Sequence, residues 1–201
     1  MKLYYSAGAC SLAPHILLRE AELPFDLERV DLRTKKTAAA EDFLRINPKG
    51  YVPALALDDG NVLTEVAVIS QYLADRAPAA HLLPTSGMAR YHALEWLNFI
   101  ATEIHKGFGP LWNPAMPEEA KNLARARLGA RLAFVNAALQ GAPYLPGPAF
   151  SAPDAYLYVM LNWCGLQKID LASWPALADH HARLATRPSV QAALQAEGLE
   201  R

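Results

Sequence analysis

Hydrophobic and polar positions follow two different periods over the first 76 residues and settle into one period afterwards. "KLYY" (2–5) is a short aromatic-rich run bounded by "SAG", which predicts a strand. From about Ser11, the positions Leu12, His15, Ile16 and Arg19 recur at helical spacing. Pro14 falls in the first turn of that helix, where a missing N–H costs little. "FDLERVDL" (25–32) alternates with period two and predicts a second strand. "AAAEDFLRIN" (38–47) predicts a short helix stopped by Asn47-Pro48. "VPALAL" and "NVLTE" flank "DDG", a hairpin signal, and "VAVISQYLADR" (66–76) closes the half as a helix. The order βαβαββα predicts an α/β layer, with helices covering a mixed sheet.

Residues 78–87, "PAAHLLPTSG", hold two prolines and a Ser-Gly pair without periodicity and predict a linker. Everything after it reads as helix. Residues 88–109 carry an apolar stripe at Leu94, Leu97, Ala101, Ile104 and Phe108. "PEEAKNLARARLGARLAFVNAALQ" has its acids in the first turn and its arginines further in, as the helix dipole prefers. "FSAPDAYLYVMLNWCGL" opens with Ser151 and Asp154 at capping-box spacing. Two shorter helices, about 175–186 and 189–197, finish the chain. The predicted organisation is an α/β domain over 1–77, the linker, and an all-α helical domain over 88–201.

Of the 201 residues, 52% are hydrophobic and 19% charged, ample material for packed cores. A formal charge of −1 gives no electrostatic footprint for nucleic acid or for an anionic membrane surface. "MKLYYSAGAC" has no continuous apolar segment of a secretory leader, and no stretch reaches transmembrane length. Two cysteines far apart, Cys10 and Cys164, do not make a disulfide framework and suit a reducing compartment. The expected location is the cytoplasm.

Cys10 precedes a helix, where the positive end of the dipole favours thiolate, although a buried cysteine also packs as a small hydrophobe. Ala13 stands where a C-x-x-C motif would have its second cysteine, so an internal dithiol is absent. Cys164 lies in an apolar run and reads as core. In "NPKGYVPAL", a cis Val52-Pro53 bond would leave the Val52 backbone free to pair with an extended, peptide-like ligand. Glu65 sits where a strand meets a helix, so it suits a ligand amine while the N–H of Val66 holds a carboxylate. Lys35, in "DLRTKKT", offers a cation for a second carboxylate. Adjacent His180 and His181 do not share a helix face, and no cluster has metal-ligand spacing. The joint description is a pocket for a short, extended, doubly anionic, amine-bearing thiol.

The segments "KLYYSAGACSLAPHI", "DLRTKKT", "INPKGYVPAL", "LTEVAVISQYLAD", "EWLNFIATEIHKGF", "FSAPDAYL" and "RPSVQAALQAEGL" resemble the bacterial, beta-class glutathione S-transferases over essentially the whole chain. The resemblance implies a thioredoxin-like N-terminal domain with cis Val52-Pro53, an all-helical C-terminal domain contributing the electrophile site, and a homodimer. It implies that glutathione lies with its sulfur beside Cys10. Lys35 would serve the glycyl carboxylate, the Val52 backbone the cysteinyl unit, and Glu65 with Val66 the γ-glutamyl end. The second domain would supply Asn98, Glu103, His105 and Lys106. The other substrate would be a hydrophobic electrophile beside Trp112, Phe108 and Tyr156. Tyr5 and Ser11 invite comparison with classes that use tyrosine or serine at the sulfur, and stand as secondary candidates. Val66 occupies a position that is usually small in the family, and Asp154 matches its helix-capping aspartate.

At roughly 100° per residue, Asn98, Thr102 and His105 share an arc with Lys106 at its edge, away from the apolar stripe. Glu103 lies off that arc. Two thiolates in contact repel, so Cys10 either stays a thiol that donates to the glutathione sulfur or joins it as a mixed disulfide. The expected activity is conjugation with thiol-transferase chemistry at Cys10. A glutathione-dependent reductase, dehalogenase or isomerase would share the fold, as would a non-catalytic glutathione-binding protein.

Overall fold

The computed structural model describes residues 1–145 and 147–199. Contacts divide the chain into two compact units, Met1–Thr85 with Thr186–Arg201, and Ser86–Ala185.

In the first unit, β1 (Lys2–Tyr5), β2 (Asp26–Asp31), β3 (Lys36–Thr37), β4 (Ala54–Ala56) and β5 (Val62–Thr64) form one sheet of order β3-β2-β1-β4-β5. β1 runs parallel to β2 and antiparallel to β4, with Leu3 opposite Leu27 on one side and Leu55 on the other. The parallel pair needs a crossover, and α1 (Leu12–Glu20) supplies it, burying Leu12, Ala13, Ile16, Leu17 and Leu18. β4 and β5 are the expected hairpin, and α3 (Val66–Arg76) follows at once. The sheet is mixed, as the βαβαββα order requires, and gains one strand that the pattern did not predict. β3 pairs antiparallel with β2 through Val30–Thr37 and Asp31–Lys36. That strand ends just before the expected 38–47 helix, whose first five residues are not helical. Ala40 has φ 64°, Asp42 caps the next turn through Leu44 N–H, and α2 spans only Phe43–Ile46.

The last helix, α9 (Pro188–Glu197), clusters with the sheet rather than with the helices preceding it, against the expected 88–201 grouping. It packs on α1, burying Val190 and Ala193, and ends at Gly198 with φ 70°, a left-handed cap that suits glycine.

The second unit is helical: α4 (Gly87–Phe99), α5 (Gly109–Trp112), α6 (Glu118–Ala138), α7 (Ala152–Leu166) and α8 (Pro175–Ala185). The expected single helix over 88–109 is interrupted. Ile100–His105 is a π-helical turn and Lys106–Phe108 a 3₁₀ turn. A π-turn bonds i to i+5, so the extra residue changes which side chains align. The buried row is accordingly Ala93, Leu97, Ile100, Ile104 and Phe108, while Leu94 and Ala101 are only half-buried. The capping box at Ser151 and Asp154 forms as expected. Asp154 also accepts from Leu145 N–H at 2.7 Å and faces His180 Nε2 at 2.8 Å, so it is fully engaged in holding α7. Among the described residues, no helix is long and apolar enough to cross a membrane.

Candidate functional site

The loop between β1 and α1 carries Cys10. Its turn is closed by Ala9 N–H to Ser6 carbonyl and Leu12 N–H to Ala9 carbonyl, both 3.0 Å, which seats Cys10 just ahead of the first helical residue. The thiol donates to the Val52 carbonyl at 3.3 Å, and Cys10 is 8% exposed. Val52-Pro53 is cis, and Val52 sits in a cluster with Tyr4, Val30, Phe43 and Ala54. Cys10 and Val52 are therefore brought together, with the Val52 carbonyl already engaged by the thiol. Cys164 is fully buried in α7, where desolvation pushes its thiol up to about 12.

The secondary candidates have other employment. Ser11 is fully buried; its hydroxyl accepts from Ser6 N–H at 3.2 Å and donates to the Ser6 carbonyl at 3.3 Å, bracing the turn. Tyr5 leans on the His15 ring, centroids 6.3 Å apart. Burial, and after it the Glu197 carboxylate, raises its phenol above the ordinary value.

Lys35, at φ 57°, sends Nζ to the Gly50 carbonyl at 2.9 Å, and that ammonium also lies 5.8 Å from the centre of the Tyr51 ring. A Cβ on Gly50 would come within 3.2 Å of the Leu44 side chain, and φ is +68° there, so the position favours glycine. Glu65 holds φ 69° and ψ 124° at the junction of β5 and α3. A side chain pays on the order of 1–3 kcal/mol for such a conformation, and residues held so cluster at binding sites. Its carboxylate meets Lys49 Nζ at 3.1 Å and is otherwise turned to solvent, 67% exposed. Val66 is buried as the first residue of α3, whose leading N–H groups have no carbonyl of their own helix to reach.

In the helical unit the π-turn redistributes the predicted arc. Asn98, Thr102 and Lys106 form the exposed row, with the Thr102 hydroxyl donating to the Asn98 carbonyl at 3.0 Å. His105 leaves that row. Its Nδ1 lies 2.6 Å from the Tyr156 hydroxyl, and its ring meets Trp163 edge-on at 5.0 Å. Glu103 turns to α6, accepting from Arg131 Nε at 2.7 Å with Arg127 at 3.7 Å. Phe108 and Tyr156, expected to line a pocket, are 0% and 2% exposed and belong to the core. Trp112 is 45% exposed. His180 and His181 diverge as expected, His180 to Asp154 and His181 Nε2 to Asn162 at 2.7 Å. Among the described residues, no group of three or more His, Cys, Asp or Glu side chains is arranged to hold a metal ion.

One cluster near Cys10 is not foreshadowed by the sequence pattern. His15 Nδ1 lies 2.8 Å from Glu197 Oε1, with both side chains wholly buried. Arg19 Nε donates to His15 Nε2 at 2.9 Å, and Gly8 N–H donates to Glu197 Oε2 at 3.0 Å. An arginine only donates, so His15 accepts at Nε2 and gives its Nδ1–H to Glu197. The end of α9 is thereby tied to the loop that carries Cys10. The available signal was a histidine at the helical spacing of Leu12 and Ile16, which when buried needs a partner.

Residues 7–76 match the family described as "Glutathione S-transferase, N-terminal domain", and residues 99–188 match "Glutathione S-transferase, C-terminal domain". The glutathione S-transferase GstA of Escherichia coli O157:H7 is 49% identical over 100% of both chains. A ternary complex of BphK, a bacterial GST, superposes with a TM-score of 0.97 at 54% identity, covering 99% of this chain and 100% of that one. A sphingomonad glutathione S-transferase complexed with glutathione gives 0.96 at 49% identity, covering 100% of each chain.

Proposed function

The chain belongs to the glutathione S-transferase family, and on that footing we propose how its residues do the work. It is a glutathione transferase, with glutathione as one substrate. The glutathione sulfur, as thiolate, attacks an electrophilic carbon of a hydrophobic small molecule; a C–S bond forms and the leaving group departs with its electron pair, or an activated double bond takes the pair and then a proton. The enzyme has to hold the sulfur and favour its thiolate.

The observation that carries the reading is the Cys10 thiol, seated at the head of α1 and donating to the Val52 carbonyl. A group that already acts as an S–H donor is suited to donate to a glutathione thiolate instead. The same position suits mixed-disulfide chemistry. Cys10 as thiolate attacks a glutathione disulfide, one glutathione leaves as thiolate, and a second reduced glutathione later resolves the adduct. Lys35 takes the glycyl carboxylate, the Val52 backbone and Pro53 the cysteinyl unit, and Glu65 with the Val66 N–H the γ-glutamyl end. Asn98, Thr102 and Lys106 contribute polar groups to glutathione binding; Glu103, its carboxylate held by Arg131, contributes by its backbone or across the dimer, and His105 gives a hydrogen bond to the sulfur.

Turnover with glutathione and, in parallel, a chloronitroaromatic, a low-molecular-weight disulfide and an organic peroxide tests this. The expected pattern is measurable conjugation together with disulfide exchange. Activity on the peroxide alone would reject it.

The assembly is proposed to be a homodimer in the cytoplasm. Trp96, Phe99 and Phe134 cluster edge-on or tilted with centroids 5.2–5.8 Å apart on α4 and α6, and Phe134 is 56% exposed, an apolar surface suited to a second copy. Light scattering is expected to return twice the chain mass, with Phe134→Glu lowering it; a single chain mass for the native protein would remove the dimer.

A further inference from the structure

Tyr156 is 2% exposed, yet its hydroxyl finds a nitrogen partner at 2.6 Å, His105 Nδ1. N–H···O bonds span about 2.7–3.2 Å, whereas bonds from an O–H donor reach down to about 2.5 Å. The separation fits an O–H donor. A phenol has one proton to give, and a neutral imidazole has one N–H and one accepting nitrogen. We propose that Tyr156 is a positioning residue for His105: its O–H donates to Nδ1, which places the ring proton on Nε2 and makes Nε2–H the group that His105 offers.

The surroundings are built for this. His105 closes the π-turn and so leaves the exposed row of Asn98, Thr102 and Lys106. Its ring is held edge-on by Tyr156, with planes 82° apart, and by Trp163, with planes 77° apart. Trp163 is fixed in turn by Phe108 and Trp112 at 5.6 Å each. The aromatic frame sets the plane of the imidazole, and the Tyr156 hydroxyl sets its proton. A donor aimed at sulfur needs both, since the other tautomer would present a lone pair to a thiolate and repel it. The consequence for catalysis rests on the reading of His105 given above; the tautomer does not.

Long-range proton–nitrogen correlation of the histidine rings, assigned with His105→Gln, reads the tautomer directly. Steady-state conjugation by Tyr156→Phe and His105→Ala, with glutathione and a chloronitroaromatic, reads its consequence. Phenylalanine keeps the ring and its packing, and thermal melts verify that the variant is folded. The wild-type ring is expected to show Nε2–H with Nδ1 accepting, and Tyr156→Phe to populate both tautomers. Its kcat is expected to fall about tenfold, the worth of one modest hydrogen bond, with KM for glutathione nearly unchanged. An Nδ1–H pattern in the wild type, or a pattern unaltered in Tyr156→Phe, overturns the proposal. Full turnover by Tyr156→Phe beside impaired His105→Ala overturns the positioning role. Full turnover by His105→Ala removes the catalytic use of His105, and the positioning role with it, leaving the tautomer to the spectrum.

Discussion

Cys10→Ala is expected to abolish thiol-disulfide exchange while leaving conjugation reduced but alive. The two activities ask different things of one sulfur. In exchange, Cys10 is the atom that forms the bond, and no neighbouring group substitutes for it. Cys164 cannot, being fully buried with its thiol pushed up to about 12. In conjugation, Cys10 donates a hydrogen bond to the glutathione sulfur. Hydrogen bonds to charged groups are worth about 1.5–3 kcal/mol, and S–H is a weak donor, so the loss lies near the lower end, about tenfold in turnover. Cys10→Ser restores a donor without the nucleophile and is expected to recover part of the conjugation and none of the exchange. Exchange surviving in Cys10→Ala would contradict the assignment.

Glu197→Ala is expected to destabilise the fold more than the substitutions at Cys10, Phe134 or Tyr156. The carboxylate accepts from His15 at 2.8 Å and from Gly8 N–H at 3.0 Å, in a site where its side chain and that of His15 are wholly buried. Truncation leaves the buried His15 N–H and the partly buried Gly8 N–H without an acceptor and removes the anion that balances Arg19 through His15. A buried donor left without its acceptor costs about 1–3 kcal/mol, a large share of a domain's total stability. Glu197→Gln keeps the shape and one accepting oxygen and is expected to lose less. Denaturant melts of the two variants measure the difference. A melt of Glu197→Ala indistinguishable from wild type would show that the network does not hold α9 to the Cys10 loop.

Much of the first unit was legible because its elements are amphipathic and separately punctuated. Leu12, Ile16 and Pro14 announce α1, and "DDG" announces the hairpin of β4 and β5. Cys10, Lys35 and Glu65 could be picked out because each sits at a junction between elements. β3 was not legible: two residues carry no period, and the strand exists because β2 offers it a partner. The π-turn at Ile100–His105 is likewise a tertiary outcome, and it moved His105 from the polar row to the Tyr156 hydroxyl. Glu197 lies 182 residues from His15, a pairing that no local pattern encodes. The same distance explains why α9 looked like one more member of a helical run. The capping box of Ser151 and Asp154 was readable at three residues' spacing, yet the links to Leu145 and His180 that complete it were not.

The central claim is that glutathione binds with its sulfur at Cys10, and intact mass after incubation with oxidised glutathione tests it most directly. Wild type and Cys164→Ser are expected to gain one glutathionyl group, lost again on reduction, while Cys10→Ser gains none. An adduct that persists in Cys10→Ser, or none in wild type that demonstrably binds reduced glutathione, would contradict the placement of that sulfur.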